Sequence, residues 1–263
     1  MSNYQSKPIA PDGTIDWSPQ EHKTWHDLVE RQQKVLGNRA CQAYLDGLAM
    51  LDLPSKRIPK LSDINHVIQR ETGWRLAPVP ALISFDRFFE LLAQKQFPVA
   101  TFLRRREEFD YLQEPDFFHE VFGHCAMLTH PDFAKFTQVY GQLGRQVDHQ
   151  TRVFLARLYW FTVEFGLVRE HGKLRIYGGG ILSSPGETCY ALESNQPQRI
   201  PFDIHTVLRT PYRIDIMQPI YFVLNDISAL FRLSQRDLLH DVQQAMAAGL
   251  LPPLFEPKEV NNA

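Results

Sequence analysis

Glu164 lies in the densest apolar stretch of the chain, Tyr159-Trp160-Phe161-Thr162-Val163-Glu164-Phe165-Gly166-Leu167-Val168. On a helix its neighbours at three and four residues are Trp160, Phe161, Leu167 and Val168, all apolar, so that face is buried. A buried carboxylate needs an Arg, a Lys, a proton or a metal ion beside it. No basic residue lies within one helical turn. Any fold this chain adopts must therefore bring Glu164 a partner from elsewhere in the sequence.

One candidate partner is the segment Pro115-Asp116-Phe117-Phe118-His119-Glu120-Val121-Phe122-Gly123-His124. It misses the zinc-protease pattern H-E-x-x-H by one residue, because Gly123 occupies the position four after His119. His119 and His124 are five apart, about 140° around a regular α-helix. They reach one ion only where the helix is overwound or bulged, as helices often are at functional sites. Two histidines and one carboxylate form a facial triad suited to iron(II), and zinc accepts the same set. Asp116, one turn earlier, is placed to accept a hydrogen bond from the His119 imidazole. An acid in the first turn of a helix is the plainer account of the same residue.

The remaining pattern predicts a mainly α protein with a few short β-strands, forming one domain over residues 1–263 with 1–16 flexible. Helical stripes run from Leu28 to Leu51, Leu61 to Glu71, Pro115 to Leu128, Pro131 to Leu143, Thr151 to Val168 and Ile220 to Phe231. Ser84 and Ser184 are placed as helix caps, the latter in Ser184-Pro185-Gly186-Glu187. Phe97 to Leu103, Leu174 to Tyr177 and Tyr212 to Ile216 read as strands. Trp74 to Ile83, with three prolines, reads as extended or loop, and Gly178-Gly179-Gly180 as a loop without the spacing of a dinucleotide fingerprint. A net charge of −2 gives no pull toward nucleic acid or an anionic membrane. Three scattered cysteines and a polar start without an apolar segment fit the cytoplasm.

The two metal-site segments, together with Gly180-Ile181-Leu182-Ser183-Ser184, Gly186-Glu187, Thr72-Gly73-Trp74-Arg75-Leu76, Asp86 to Phe88 and Gln218-Pro219-Ile220-Tyr221, resemble the pterin-dependent aromatic amino acid hydroxylases. The likeness runs from about Trp17 to about Phe231, and the length is similar to that of the compact bacterial members acting on phenylalanine. It implies the family's single catalytic domain without a regulatory domain or tetramerisation helix, and hence a monomer. It implies Fe(2+) on His119, His124 and Glu164, and tetrahydrobiopterin or a related tetrahydropterin. The pterin would be met by Phe88 through ring stacking, by the main chain at Ile83 and Phe85, and by Glu120 through water. The amino acid substrate would be met by Arg104 at its carboxylate, by Trp160, Phe165, Gly180 and Ser183, and by Tyr111 near the iron.

Without that likeness, Phe88 and Trp160 read as core, Arg104-Arg105-Arg106 as a solvated basic patch, and Ser183 and Ser184 as capping residues. The implied reaction is L-phenylalanine to L-tyrosine with O2. Leu112 and Gln113 stand where a Thr-Pro pair is common in the animal enzymes. That loop shapes the ring pocket, so hydroxylation of tryptophan is one alternative. A zinc-dependent hydrolase with Glu120 as base, or a non-catalytic pterin- or amino-acid-binding module, are the alternatives of other classes.

Overall fold

Caps and prolines divide the chain into short elements. The computed structural model describes residues 4–110, 112 and 114–256. Ser18 and Glu21 cap each other's backbone at the start of α1 (Pro19–Leu36), and α2 (Gln42–Leu51) follows. The single stripe expected from Leu28 to Leu51 is thus two helices, parted where Gly37 takes a positive φ of 42°. α3 (Leu61–Thr72) ends on left-handed Gly73, as its sequence predicts. Ser84 caps α4 (Phe85–Ala93), which lies between strands β1 (Arg75–Val79) and β2 (Gln96–Ala100). β1 and β2 pair in parallel, so the proline-rich stretch is partly a strand.

Helical residues 117–118 open into a π-helical segment, His119–His124, that closes into α5 (Cys125–Leu128). Next come α6 (Pro131–Gln146) and α7 (His149–Tyr159), which widens into a second π segment, Trp160–Glu164. The helix stops there. Residues 167–168, expected to be helical, begin strand β3 (Leu167–Glu170), because a Cβ at Gly166 would collide with the Tyr177 ring at 2.1 Å and only glycine permits the turn. Strand β4 (Lys173–Ile176) returns antiparallel through His171 and Gly172, both at positive φ.

Short helix α8 (Gly179–Leu182) and helix α9 (Pro185–Glu193) lead to strand β5 (Gln198–Pro201), helix α10 (Ile204–Arg209) and strand β6 (Ile220–Leu224). α11 (Ala229–Ser234) and α12 (Leu238–Ala248) complete the described chain. The sheet order is β4-β3-β6-β5. Two expectations fail here. Residues 220–231 are not one helix: Ile220-Tyr221-Phe222-Val223-Leu224 is buried on both faces of the sheet, and an unbroken apolar run suits a central strand as well as a helix. Residues 212–216 form no strand; they are a loop in which Ile214 and Asp215 are exposed and the rest half-buried, so burial does not follow the alternation of the sequence.

Aromatic packing fixes the bed of the first π segment. Phe118 stacks on Phe122 at 5.0 Å, Trp25 meets Phe118 edge-on at 5.7 Å, and the Tyr44 hydroxyl donates to the Phe122 carbonyl at 2.7 Å. Among the described residues, no helix is long and apolar enough to cross a membrane.

Candidate active site

The two π segments solve the spacing problem posed by the sequence. A π-helix bonds residue i to i+5, so side chains five apart come onto nearly one face. His119 and His124 do so, with Nε2 atoms 3.2 Å apart and ring centroids at 4.9 Å. In the second segment the Phe165 N–H donates to the Trp160 carbonyl at 2.8 Å, an i+5 bond that turns Glu164 inward. Glu164 Oε2 lies 3.3 Å from His124 Nε2 and 3.6 Å from His119 Nε2. The partner demanded by the buried carboxylate is thus the histidine pair.

These three atoms fit one metal ion. Donors held about 2.1 Å from a metal lie about 3.0 Å apart at right angles and about 3.4 Å apart at tetrahedral angles. The proton positions agree. Ser183 Oγ spends its single hydrogen on the Gly179 carbonyl at 2.9 Å, so toward His119 it accepts from Nδ1–H, also at 2.9 Å. That fixes the tautomer and leaves the lone pair on Nε2. Burial, opposed by the Glu164 carboxylate, holds His119 down at about 4, so the ring is neutral near pH 7. Burial alone would raise Glu164, but His124 and His119 keep it below the ordinary carboxylate range. Glu120 is different: burial, with Glu164 and Asp116 nearby, pushes it well above that range. Its carboxyl also lies within 4.8 Å of the histidine ligand atoms.

Glycines allow the triad to form. A Cβ at Gly179 would stand 2.4 Å from the His124 ring, and one at Gly123 would stand 2.6 Å from the Gly179 carbonyl oxygen. The position that breaks the zinc-protease pattern is therefore one that no side chain can occupy. Gly178-Gly179-Gly180 is the floor beneath the donor atoms, a use that its sequence did not announce.

With this geometry in place, the comparisons are decisive. Residues 2–244 match the family of biopterin-dependent aromatic amino acid hydroxylases. The chain belongs to that family. It is 70% identical over 263 residues to a phenylalanine-4-hydroxylase of Vibrio cholerae, covering all of this chain and 91% of that one. The apo structure of the cold-active phenylalanine hydroxylase of Colwellia psychrerythraea superposes with a TM-score of 0.93 at 53% identity, over 95% of this chain and 97% of that one. A Chromobacterium violaceum phenylalanine hydroxylase with bound oxidised Fe(III) superposes with a TM-score of 0.88 at 40% identity, over 96% and 92%.

Other residues singled out in this hydroxylase take up varied positions. Asp116 was expected to orient the His119 imidazole; its Oδ1 instead accepts from the His119 backbone N–H at 2.9 Å, and Ser183 takes the ring. Ser183, expected in the amino acid pocket, accepts from the His119 ring. Arg104 is buried, unlike exposed Arg105 and Arg106, and its Nε and Nη2 edge is engaged by Asp116 at 2.9 and 3.0 Å. Trp160 and Phe165 rings meet at 4.4 Å, and a Cβ at Gly180 would reach the Phe165 ring at 3.0 Å and Glu164 Oε2 at 3.1 Å. Phe88 is half-buried and meets Tyr159 edge-on at 5.3 Å. Burial, with Glu164 and Glu120 nearby, raises the hydroxyl of Tyr159, a residue not singled out in the sequence. Ile83 packs on Ala77, Val79 and Leu91, whereas the exposed Phe85 ring faces Phe89 and His149. Neither side chain is directed at the triad by any contact seen. Tyr111 and Gln113 lie outside the described residues.

Ser183→Ala tests the support. It removes the acceptor that fixes the His119 tautomer, and metal affinity should fall by about 10–100-fold. Titration of metal-free protein with iron(II), read by bound metal per chain, checks it; unchanged affinity would detach Ser183 from the metal site.

Proposed function

We infer that this hydroxylase converts L-phenylalanine to L-tyrosine with O2, a tetrahydropterin such as tetrahydrobiopterin, and one iron(II) on His119, His124 and Glu164. The observation carrying this reading is the convergence of two imidazole nitrogens and one carboxylate oxygen within 3.6 Å of one another. Such a facial set leaves positions open for oxygen and substrate. The full-length likeness to a protein named phenylalanine-4-hydroxylase supports the choice of amino acid.

When bound, iron and the reduced pterin supply the activation of oxygen. The chain supplies position and charge. Arg104 has five N–H donors, of which Asp116 engages two. Its outer Nη1/Nη2 edge remains a planar fork for the substrate carboxylate. Trp160 and Phe165, in contact at 4.4 Å, supply flat apolar walls for the ring. Phe88, standing against Tyr159, offers a ring for the pterin, with the main chain at Ile83 and Phe85 as polar partners. Glu120, whose carboxyl burial pushes above the ordinary range, would meet that pterin through water. The hydrolase alternative loses ground at Gly123, where the missing ligand cannot be restored.

The test is product formation by iron(II)-loaded protein given phenylalanine, tetrahydrobiopterin and oxygen, with zinc-loaded protein and tryptophan in parallel. Tyrosine that requires both iron and pterin is expected. Hydroxytryptophan formed in preference to tyrosine would reassign the substrate. Activity confined to the zinc form, or no product from fully metallated protein, would overturn the reading.

A further inference from the structure

Ser184-Pro185-Gly186-Glu187 has the form of a reciprocal helix cap, yet only half of the cap forms. Ser184 Oγ accepts from the Glu187 N–H at 3.3 Å, but the Ser184 N–H goes to the Ile181 carbonyl. The Glu187 carboxylate, 5% exposed, instead accepts from the Gln218 N–H at 3.1 Å and from the Tyr221 hydroxyl. A residue suited to its own helix end is committed to a distant loop.

Gln218 is 1% exposed, and each polar atom of its side chain is occupied. Nε2 donates to the carbonyls of Arg213 at 2.9 Å and Ile216 at 3.0 Å, and Oε1 accepts from the Trp160 indole N–H at 3.0 Å. The amide has one orientation only, because reversing it would set carbonyl against carbonyl and N–H against N–H. The same loop holds the indole by its face: Tyr212 stacks on Trp160 at 4.5 Å with 16° between the planes. Residues 212–218 therefore grip one indole at its edge and on its face, while Glu187 and Tyr221 anchor the loop.

We propose that Gln218 is a positioning residue for the hydroxylation, fixing the plane of Trp160 as a wall of the aromatic slot. This rests on the reading of Trp160 as part of the substrate pocket. An indole without its edge bond can rock about its side-chain torsions, and the substrate ring then loses its fixed approach to the reacting oxygen. Small misplacements are costly to oriented reactions. The metal and reduced pterin, when bound, would still supply oxygen activation, but a smaller share of turnovers would reach the ring. Loss of Gln218 therefore uncouples pterin oxidation from tyrosine formation.

The experiment compares wild type, Gln218→Met, Trp160→Phe and the double variant as iron-loaded proteins. Methionine conserves the volume and removes every hydrogen bond of the amide, and the carbonyls it frees belong to half-buried loop residues 213 and 216. Tyrosine formed per tetrahydropterin oxidised should fall about two- to tenfold in Gln218→Met, the range one hydrogen bond supports. The double variant should be no worse than Trp160→Phe, which has no N–H to hold. The near-ultraviolet dichroism of Trp160, taken as the difference from Trp160→Phe in metal-free protein, should weaken in Gln218→Met. A merely structural role would lower thermal stability and active fraction but leave the ratio and the dichroism unmoved.

A wild-type ratio in Gln218→Met, or additive losses in the double variant, would overturn the proposal with the pocket reading intact. A wild-type ratio in Trp160→Phe would instead overturn the pocket reading. Should Gln218→Met fail to fold, the indole N–H of Trp160 in wild type decides: slow exchange with solvent supports the bond, and fast exchange overturns it.

Discussion

Glu164→Gln should fold like the wild type, bind iron poorly, and lose more tyrosine formation than the roughly 10–100-fold typical of residues that only support a metal ligand. The amide has the shape of the carboxylate but neither its charge nor its second acceptor. Its NH2 group in place of a carboxylate oxygen would face the His119 Nε2 lone pair that Ser183 directs inward. Two imidazoles then remain to hold the ion without a counter-charge. The fold is spared because, among the described residues, the carboxylate's ion-pair partners are the two histidines, at 3.3 and 3.6 Å, and the surrounding Phe161, Thr162 and Val163 are buried independently of it. Glu120→Gln is the control, since Glu120 also lies near the histidine nitrogens. It should retain iron while Glu164→Gln does not. Bound iron per chain and the melting temperature, measured beside turnover, check both. Near wild-type turnover with a full complement of iron in Glu164→Gln would remove Glu164 from the triad.

The triad was legible because burial and chemistry conflict openly at Glu164, and because the His119–His124 spacing can serve one ion only if the helix is distorted. The π segments are that distortion. What could not be read is how the chain makes room. Gly123 and Gly179 are explained by atoms more than 50 residues apart in sequence, and no periodicity reports such a contact. The run Arg104-Arg105-Arg106 also splits: its first member is buried by Asp116, its others are exposed, and the run's composition is the same either way. Strand β6 was missed for a related reason. Five consecutive apolar residues satisfy a buried strand or a buried helix equally, and only the neighbours β3 and β5 decide. Gln218 stood in a segment similar to the family, but its purpose depends on a loop that carries no regular structure. Local signals, by contrast, held at Ser84 and Ser184, each of which accepts from a backbone N–H three residues on.

The buried pair Arg104–Asp116 should show the largest effect on stability. Asp116 is fully buried and accepts four hydrogen bonds: from Arg104 N, Nε and Nη2 and from the His119 backbone N–H. Burial alone would raise its pKa, but Arg104 more than offsets this and holds it below the ordinary 3.8. A depressed folded-state pKa means that the pair's contribution is present above about pH 3.8 and fades as the carboxylate protonates below it. Asp116→Ala leaves a guanidinium buried without its counter-charge, which costs about 3–5 kcal/mol. For a chain of this size that is a fall in melting temperature on the order of 10 °C. High salt should change the result little, because the pair is shielded from solvent ions. The double variant Arg104→Met/Asp116→Leu replaces both charges by apolar groups and should recover much of the loss. Its chemistry should not recover with it. The fork proposed for the substrate carboxylate is gone, so the KM for phenylalanine should rise by about tenfold or more, the scale of a hydrogen bond to a charged group. The KM for the pterin should stay near wild type. A stable double variant with an unchanged phenylalanine KM would confine Arg104 to the fold and leave the carboxylate to another residue.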